Sequence, residues 1–150
     1  MIGGGVLAVY EPAFEIIRNP WFPIESLAEK DGGNTHDLGS TKTLSLNTIV
    51  GSGNIQPCLT DPKNLEKAIR NVGSLLDTYY PYVKIIEISQ NDNRNYCTCE
   101  NCNKVCEEEG SQSGAIIRFV NAIAETYAEQ YPDIIFQTLA YSYSQTAPKV

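Results

Sequence analysis

Lys84-Ile-Ile-Glu-Ile-Ser-Gln90 is the stretch on which the fold turns. It is a β-branched run of strand length, and the segments on either side of it read as helices. Upstream, Thr60-Asp61-Pro62 has the chemistry of a helix start: Asp61 can cap, and Pro62 suits the first helical position. Leu65, Ile69, Val72 and Leu76 then recur at helical spacing to about Tyr80, where Pro81 ends the helix. Downstream, Ile116, Val120, Ile123 and Tyr127 form the stripe of a second helix from about Gly114 to Gln130, with Ile117, Ala124 and Tyr131 beside them. Ser111 or Ser113 is its candidate cap, and Pro132-Asp133 breaks it. Ile134 to Tyr143 reads as the next strand, stopped by Pro148, and Asn54 to Leu59 as a short one weakened by Pro57. Strand, helix, strand, helix, strand predicts the α/β class, with a parallel sheet and right-handed crossovers.

The first 53 residues are less strongly patterned than 54–150. Val6 to Tyr10 and Thr43 to Val50 are candidate strands, and Pro12 to Arg18 a short helix. Lys30 to Lys42 is a polar loop holding the only histidine, His36. At 150 residues the chain has the length of one α/β domain with a real core. Its formal charge of −7, with no Lys/Arg cluster, argues against nucleic acid as a partner. No apolar run reaches the ~20 residues of a membrane span, and Met1-Ile-Gly-Gly-Gly lacks the features of a secretory signal.

In a parallel α/β sheet every strand-to-helix loop lies at one end, where function is carried. Gln56 and Cys58, Ser89 to Asp92, and Tyr141 with Tyr143 are therefore expected to converge. The loop from Asn91 to Ser113 has 23 residues, whereas such loops usually have ~2–6. Within it stand four of the five cysteines, as Cys97-x-Cys99-x2-Cys102-x3-Cys106 among Asn, Thr, Glu and Lys. Cysteines that merely fill a core are scattered through apolar segments, so this crowding points to chemistry. A structural metal site, disulfides and free thiols all fit the run. Five cysteines cannot all pair internally. Four local sulfurs suit tetrahedral zinc and leave no open position for a catalytic metal. Cys97, Cys99, Cys102 and Cys106 are the expected ligands. Cys102 and Cys106 would share a helical face, and Cys58 or His36 could replace one of the four.

Asp92, just past a strand end, is the candidate catalytic carboxylate, although Asn91-Asp92-Asn93 is also ordinary turn chemistry. Gln90, Tyr141 and Tyr143 are candidate ligand contacts, the tyrosines alternating on one face of the last strand and competing with a plain core role. Glu107, Glu108 and Glu109 read as a solvated approach to a helix, favoured by its dipole.

Cys58-Leu-Thr-Asp-Pro62, Ile88-Ser-Gln-Asn-Asp92, Tyr96-Cys-x-Cys-x2-Cys102, Glu109-Gly-Ser-x-Ser-Gly114, Arg118-Phe-Val-Asn121 and Thr138-Leu-Ala-Tyr141 with Pro148-Lys149 follow one another in the order of a known family. The sequence from about Gln56 to Lys149 resembles domain of unknown function 4838. The resemblance implies a glycoside-hydrolase-like (β/α)8 barrel, akin to hexosaminidase and α-glucuronidase barrels, in large, often secreted bacterial proteins that handle carbohydrate. It implies a secreted or periplasmic setting, a carbohydrate partner, and Asp92 as an acid/base or sugar-orienting group. A complete barrel needs ~250 residues, so the chain is expected to form a partial barrel or open sheet within a larger protein. Two functions follow from it: a glycoside hydrolase, or a non-catalytic carbohydrate-binding or scaffold domain with structural zinc.

Overall fold

A computed structural model of the chain describes Val6–Val9 and residues 40–150. The proposed helix at Pro12 to Arg18 and the loop histidine His36 lie outside these residues. Strand β1 is Val6–Val9, β2 Thr41–Ser45, β3 Ile85–Ser89 and β4 Ile135–Leu139. Helix α1 is Leu46–Val50, α2 Pro62–Tyr79, α3 Glu100–Glu109 and α4 Ser113–Tyr127. The four strands form one parallel sheet in the order β1-β4-β3-β2. β2, β3 and β4 lie side by side in chain order, as successive βαβ units do, and β1 adds beyond β4. Among the described residues β1 and β2 are the two edges, so the expected open sheet is what forms.

The core lies between one sheet face and the helices. Ile86, Ile88 and Phe136 project from the sheet against Ala68, Val72 and Leu76 of α2, against Ile116, Val120 and Ile123 of α4, and against Leu46 and Ile49 of α1. Each such side chain taken from water contributes about 1.5–3 kcal/mol, enough in sum to fix the layer order. Helix α2 starts as its sequence dictates: the Asp61 carboxylate accepts from the Lys63 backbone N–H at 2.9 Å, with Pro62 in the first turn.

Three segments differ from the sequence expectation. Asn54 to Leu59 is not a strand. Gly51 and Gly53 adopt φ of 72° and 70°, and Pro57 removes a donor, so the chain turns there. Thr43 to Val50 divides at Ser45 into strand and helix, because Leu46, Ile49 and Val50 share one buried helical face. The long Asn91–Ser113 segment contains α3, whose buried residues are Cys102, Cys106 and Glu109 rather than an aliphatic stripe. The acidic run is thus the last turn of α3, where the dipole disfavours negative charge. Arg118 offsets it: its guanidinium donates to Glu109 Oε1 through Nε at 2.9 Å and also through Nη2, and to Glu108 Oε2 at 3.1 Å.

Arg118, more than any other neighbour, holds the Glu109 carboxyl below its ordinary range, and the Val150 N–H at 2.7 Å adds to the effect. The native state then binds fewer protons than the unfolded chain around the ordinary carboxylate value of about 4.3. Its stabilisation is present above that value and lost as pH falls through the depressed folded value. Glu109→Gln is expected to flatten the acid limb of a Tm-against-pH curve below about pH 4. An acid limb identical to that of the wild type would contradict this role.

Candidate metal centre

The C-terminal end of β3 is built by side chains that reach across from the turn at 54–60. The Asn91 N–H donates to Gln56 Oε1 at 3.1 Å, and Gln56 Nε2 donates to the Asn91 and Asn93 carbonyls at 2.5 and 3.0 Å. Asn91 Nδ2 and Asn93 Nδ2 both donate to the Asn54 carbonyl. Buried Gln56 thus acts as a one-residue strand, pairing with the backbone beyond β3 where Pro57 prevents a real ladder. Two residues on, Cys58 faces the segment that follows.

Cys58, Cys97, Cys99 and Cys102 bring four sulfurs within 4.8 Å of one another. Cys58 Sγ is 3.8 Å from both Cys99 Sγ and Cys102 Sγ. Zinc bound to sulfur at about 2.3 Å in a tetrahedron sets its sulfurs about 3.8 Å apart, so this cluster has the dimensions of a four-thiolate site. The fourth sulfur is therefore Cys58 and not the expected Cys106. Cys102 lies in the first turn of α3, facing Cys58. Cys106 shares its helical face but stands one turn, about 6 Å, further along the axis. There its thiol is buried and donates to Gln112 Oε1 at 3.1 Å. His36, the other proposed substitute, is outside the described residues.

Local hydrogen bonds pre-set the cluster. Cys99 is the N-cap of α3, its Sγ accepting from the Cys102 N–H at 3.5 Å. Thr60 Oγ1 sits 3.3 Å from Cys102 Sγ, 3.5 Å from Cys58 Sγ and 3.8 Å from Cys99 Sγ, an outer-shell hydroxyl touching three sulfurs. Asn64 Nδ2, on α2, donates to the Cys58 carbonyl at 2.9 Å. Thr60 and Gln56 were not singled out in the sequence for these roles; their signal was adjacency to Cys58. The Cys102 N–H, then the Thr60 hydroxyl and Cys97, lower the Cys99 thiol to about 6. Burial pushes Cys97 up to about 12 and raises Cys102 as well. Cys99 is thus eased towards the thiolate, while Cys97 and Cys102 are held back from it. A bound dication favours deprotonation of all four.

The other candidate residues converge on the same end of the sheet in unequal roles. Asp92 is exposed and lies near enough to the Tyr141 phenol for its charge to act on it. Burial first, then the charge of the nearby Asp92 carboxylate, raises the Tyr141 phenol. Gln90 is 4% exposed and committed internally: Nε2 donates to the Tyr141 carbonyl at 3.3 Å, and Oε1 accepts from Ser144 Oγ. Tyr141 and Tyr143 do not alternate on a strand, because β4 ends at Leu139 and Ser142 turns the chain with φ of 56°. Tyr143 packs on Tyr96, ring centroids 4.9 Å apart, and burial raises its phenol. It anchors the cysteine segment to the core. A cavity bounded by Tyr96, Tyr143, Leu46, Leu59, Cys102 and Cys106 lies beneath the cluster.

A family model described as Domain of unknown function (DUF4838) matches residues 39–150. The chain belongs to that family. The DUF4838 match spans β2 to the last residue, and so takes in all four clustered sulfurs, Gln56, Asp92 and Tyr141, while β1 lies outside it. No curated protein and no solved structure matches the chain. No described helix is long and apolar enough to cross a membrane.

Proposed function

We propose that this DUF4838 chain is a carbohydrate-handling α/β module in which zinc, held by Cys58, Cys97, Cys99 and Cys102, staples the Asn91–Ser113 segment beside a sugar-facing rim. The observation that carries the reading is the set of four sulfurs within 4.8 Å of one another, on a segment that leaves β3 through the exposed Asp92 carboxylate beside Tyr141. Zinc would close the link between residues 58 and 97–102, two segments otherwise joined by side-chain hydrogen bonds. Asp92 offers acceptor oxygens to sugar hydroxyls. Tyr141 stands beside that carboxylate and presents an aromatic edge. Gln90 and Tyr143, first read as ligand contacts, hold the rim from beneath.

Two chemistries are open to such a rim. Glycoside hydrolysis uses a pair of carboxyl groups flanking the bond, with Asp92 as acid/base or sugar-orienting group. Sugar binding without turnover needs only Asp92 and Tyr141. One observation favours binding: Glu87, the carboxylate within β3, is 1% exposed and accepts from Gln137 Nε2 at 2.9 Å, away from solvent. A glycan-binding screen on metal-loaded protein, with a panel of aryl glycosides for turnover, tests both. Asp92→Asn and Tyr141→Phe are expected to weaken glycan binding roughly tenfold or more while metal content stays unchanged, the cost of losing a charge-assisted bond. Equal glycan affinity in wild type and Asp92→Asn would remove Asp92 from the site. No glycan bound by the metal-loaded protein would overturn the carbohydrate reading.

A further inference from the structure

We infer that the sulfur cluster has a second, oxidised form: a Cys58–Cys99 disulfide that displaces the metal and keeps the same two segments joined. The displaced ion rests on the zinc reading above; the bond rests on thiol geometry alone. Cys58 is 3.8 Å from two sulfurs, those of Cys99 and Cys102. Of these, Cys99 is exposed and Cys102 is buried against Thr60, so a small oxidant from solvent meets Cys99 first. Cys58 is half-buried directly across from it. Closing 3.8 Å to a bond of about 2.05 Å asks for a shift of under 2 Å, within the reach of a turn that carries no strand ladder.

The oxidant class is a peroxide. The Cys99 thiolate attacks one peroxide oxygen, the O–O bond breaks, and hydroxide leaves and takes a proton to become water. Cys99 then carries a sulfenic hydroxyl. The Cys58 thiolate attacks the Cys99 sulfur, the S–S bond forms, and the S–O bond breaks to release a second hydroxide, protonated to water. Two electrons pass from two sulfurs to the peroxide, and two protons come from solvent. Cys97 and Cys102 are left as the remaining ligands, too few for a four-sulfur site to retain its ion. The turn at 57–60 and the start of α3 thus stay linked in reducing and oxidising surroundings alike, and the Gln56 clamp under Asn91 keeps its support.

The test is stoichiometric hydrogen peroxide on the metal-loaded full chain, with released metal read by a chromophoric chelator and disulfides mapped by non-reducing peptide mass spectrometry after thiol blocking. About one ion should leave per disulfide formed, with Cys58 and Cys99 cross-linked and Cys106 still blocked as a free thiol. The oxidised protein should melt above the metal-stripped, reduced protein. A dominant Cys99–Cys102 or Cys97–Cys99 link, or sulfinic acid without any cross-link, would overturn the inference. A Cys58–Cys99 link in protein that carried no metal to begin with would sustain the inference and sink the zinc reading. Metal present, but a different pair formed, would do the reverse.

Discussion

Serine in place of Cys58 is expected to abolish stoichiometric zinc binding, and serine in place of Cys106 to leave it intact. That contrast is the expected result because the two residues exchange the roles that spacing assigns them. Cys58 supplies the only sulfur of the cluster from outside the 97–102 segment. Its loss leaves three thiols in one short stretch and unlinks that stretch from the turn before α2. A ligand that binds only the folded state stabilises it by about 2.7 kcal/mol at a hundredfold excess over Kd, and structural zinc in small domains contributes more. Cys58→Ser should therefore lower the Tm of zinc-loaded protein by several degrees, and added zinc should not restore it. In Cys106→Ser the hydroxyl can still donate to Gln112 Oε1, so metal content should match wild type and the Tm change should stay small, about 1 kcal/mol or less. Both variants are read by metal analysis and a melting curve. Full zinc in Cys58→Ser, or its loss in Cys106→Ser, would reverse the ligand assignment.

Gly114→Val is expected to have the next largest effect. Glycine within a helix ordinarily costs about 1 kcal/mol against alanine, so filling it usually helps. Here α3 and α4 meet at Gly114, and a Cβ added there would collide with Cβ and Cγ of Glu109. Glu109 cannot swing aside, because Arg118 and the Val150 N–H hold its carboxylate. Overpacking of this kind costs about 1–3 kcal/mol, or roughly 2–12 °C in Tm at this chain length. Since α3 carries Cys102, the displaced helix should also weaken zinc retention in a chelator competition. A variant as stable as wild type, with unchanged zinc affinity, would show that α3 and α4 do not meet closely at this glycine.

The elements legible in the sequence are those whose local chemistry and burial agree. β3 is continuous and aliphatic apart from Glu87 and Ser89, α2 has its Asp61-Pro62 start, and α4 has an apolar stripe from Ile116 to Tyr127. Misreadings arose where side chains do the work of backbone. Gln56 replaces a ladder with three hydrogen bonds of its side-chain amide, which no periodicity announces. Helix α3 has cysteines for a buried face, so hydropathy showed a loop. The spacing of Tyr141 and Tyr143 is that of a strand, but Ser142 at positive φ breaks the alternation, and the two rings part: one goes to Asp92, the other to Tyr96. The sulfur cluster was legible in part: Cys97, Cys99 and Cys102 belong to it, but its fourth sulfur, Cys58, stands 39 residues upstream of Cys97, outside the local run. Gln90, although beside Asp92, is turned inward by bonds to Tyr141 and Ser144 that only the folded chain brings together.

The most direct measurement is the metal content of the wild-type chain purified under reducing conditions, with its thiols counted by alkylation in the native state. A zinc-thiolate staple predicts about one zinc per chain and four protected cysteines, Cys58, Cys97, Cys99 and Cys102, all becoming reactive once the zinc is chelated. Less than about 0.2 zinc per chain, with those four thiols alkylated at once in the folded protein, would contradict it.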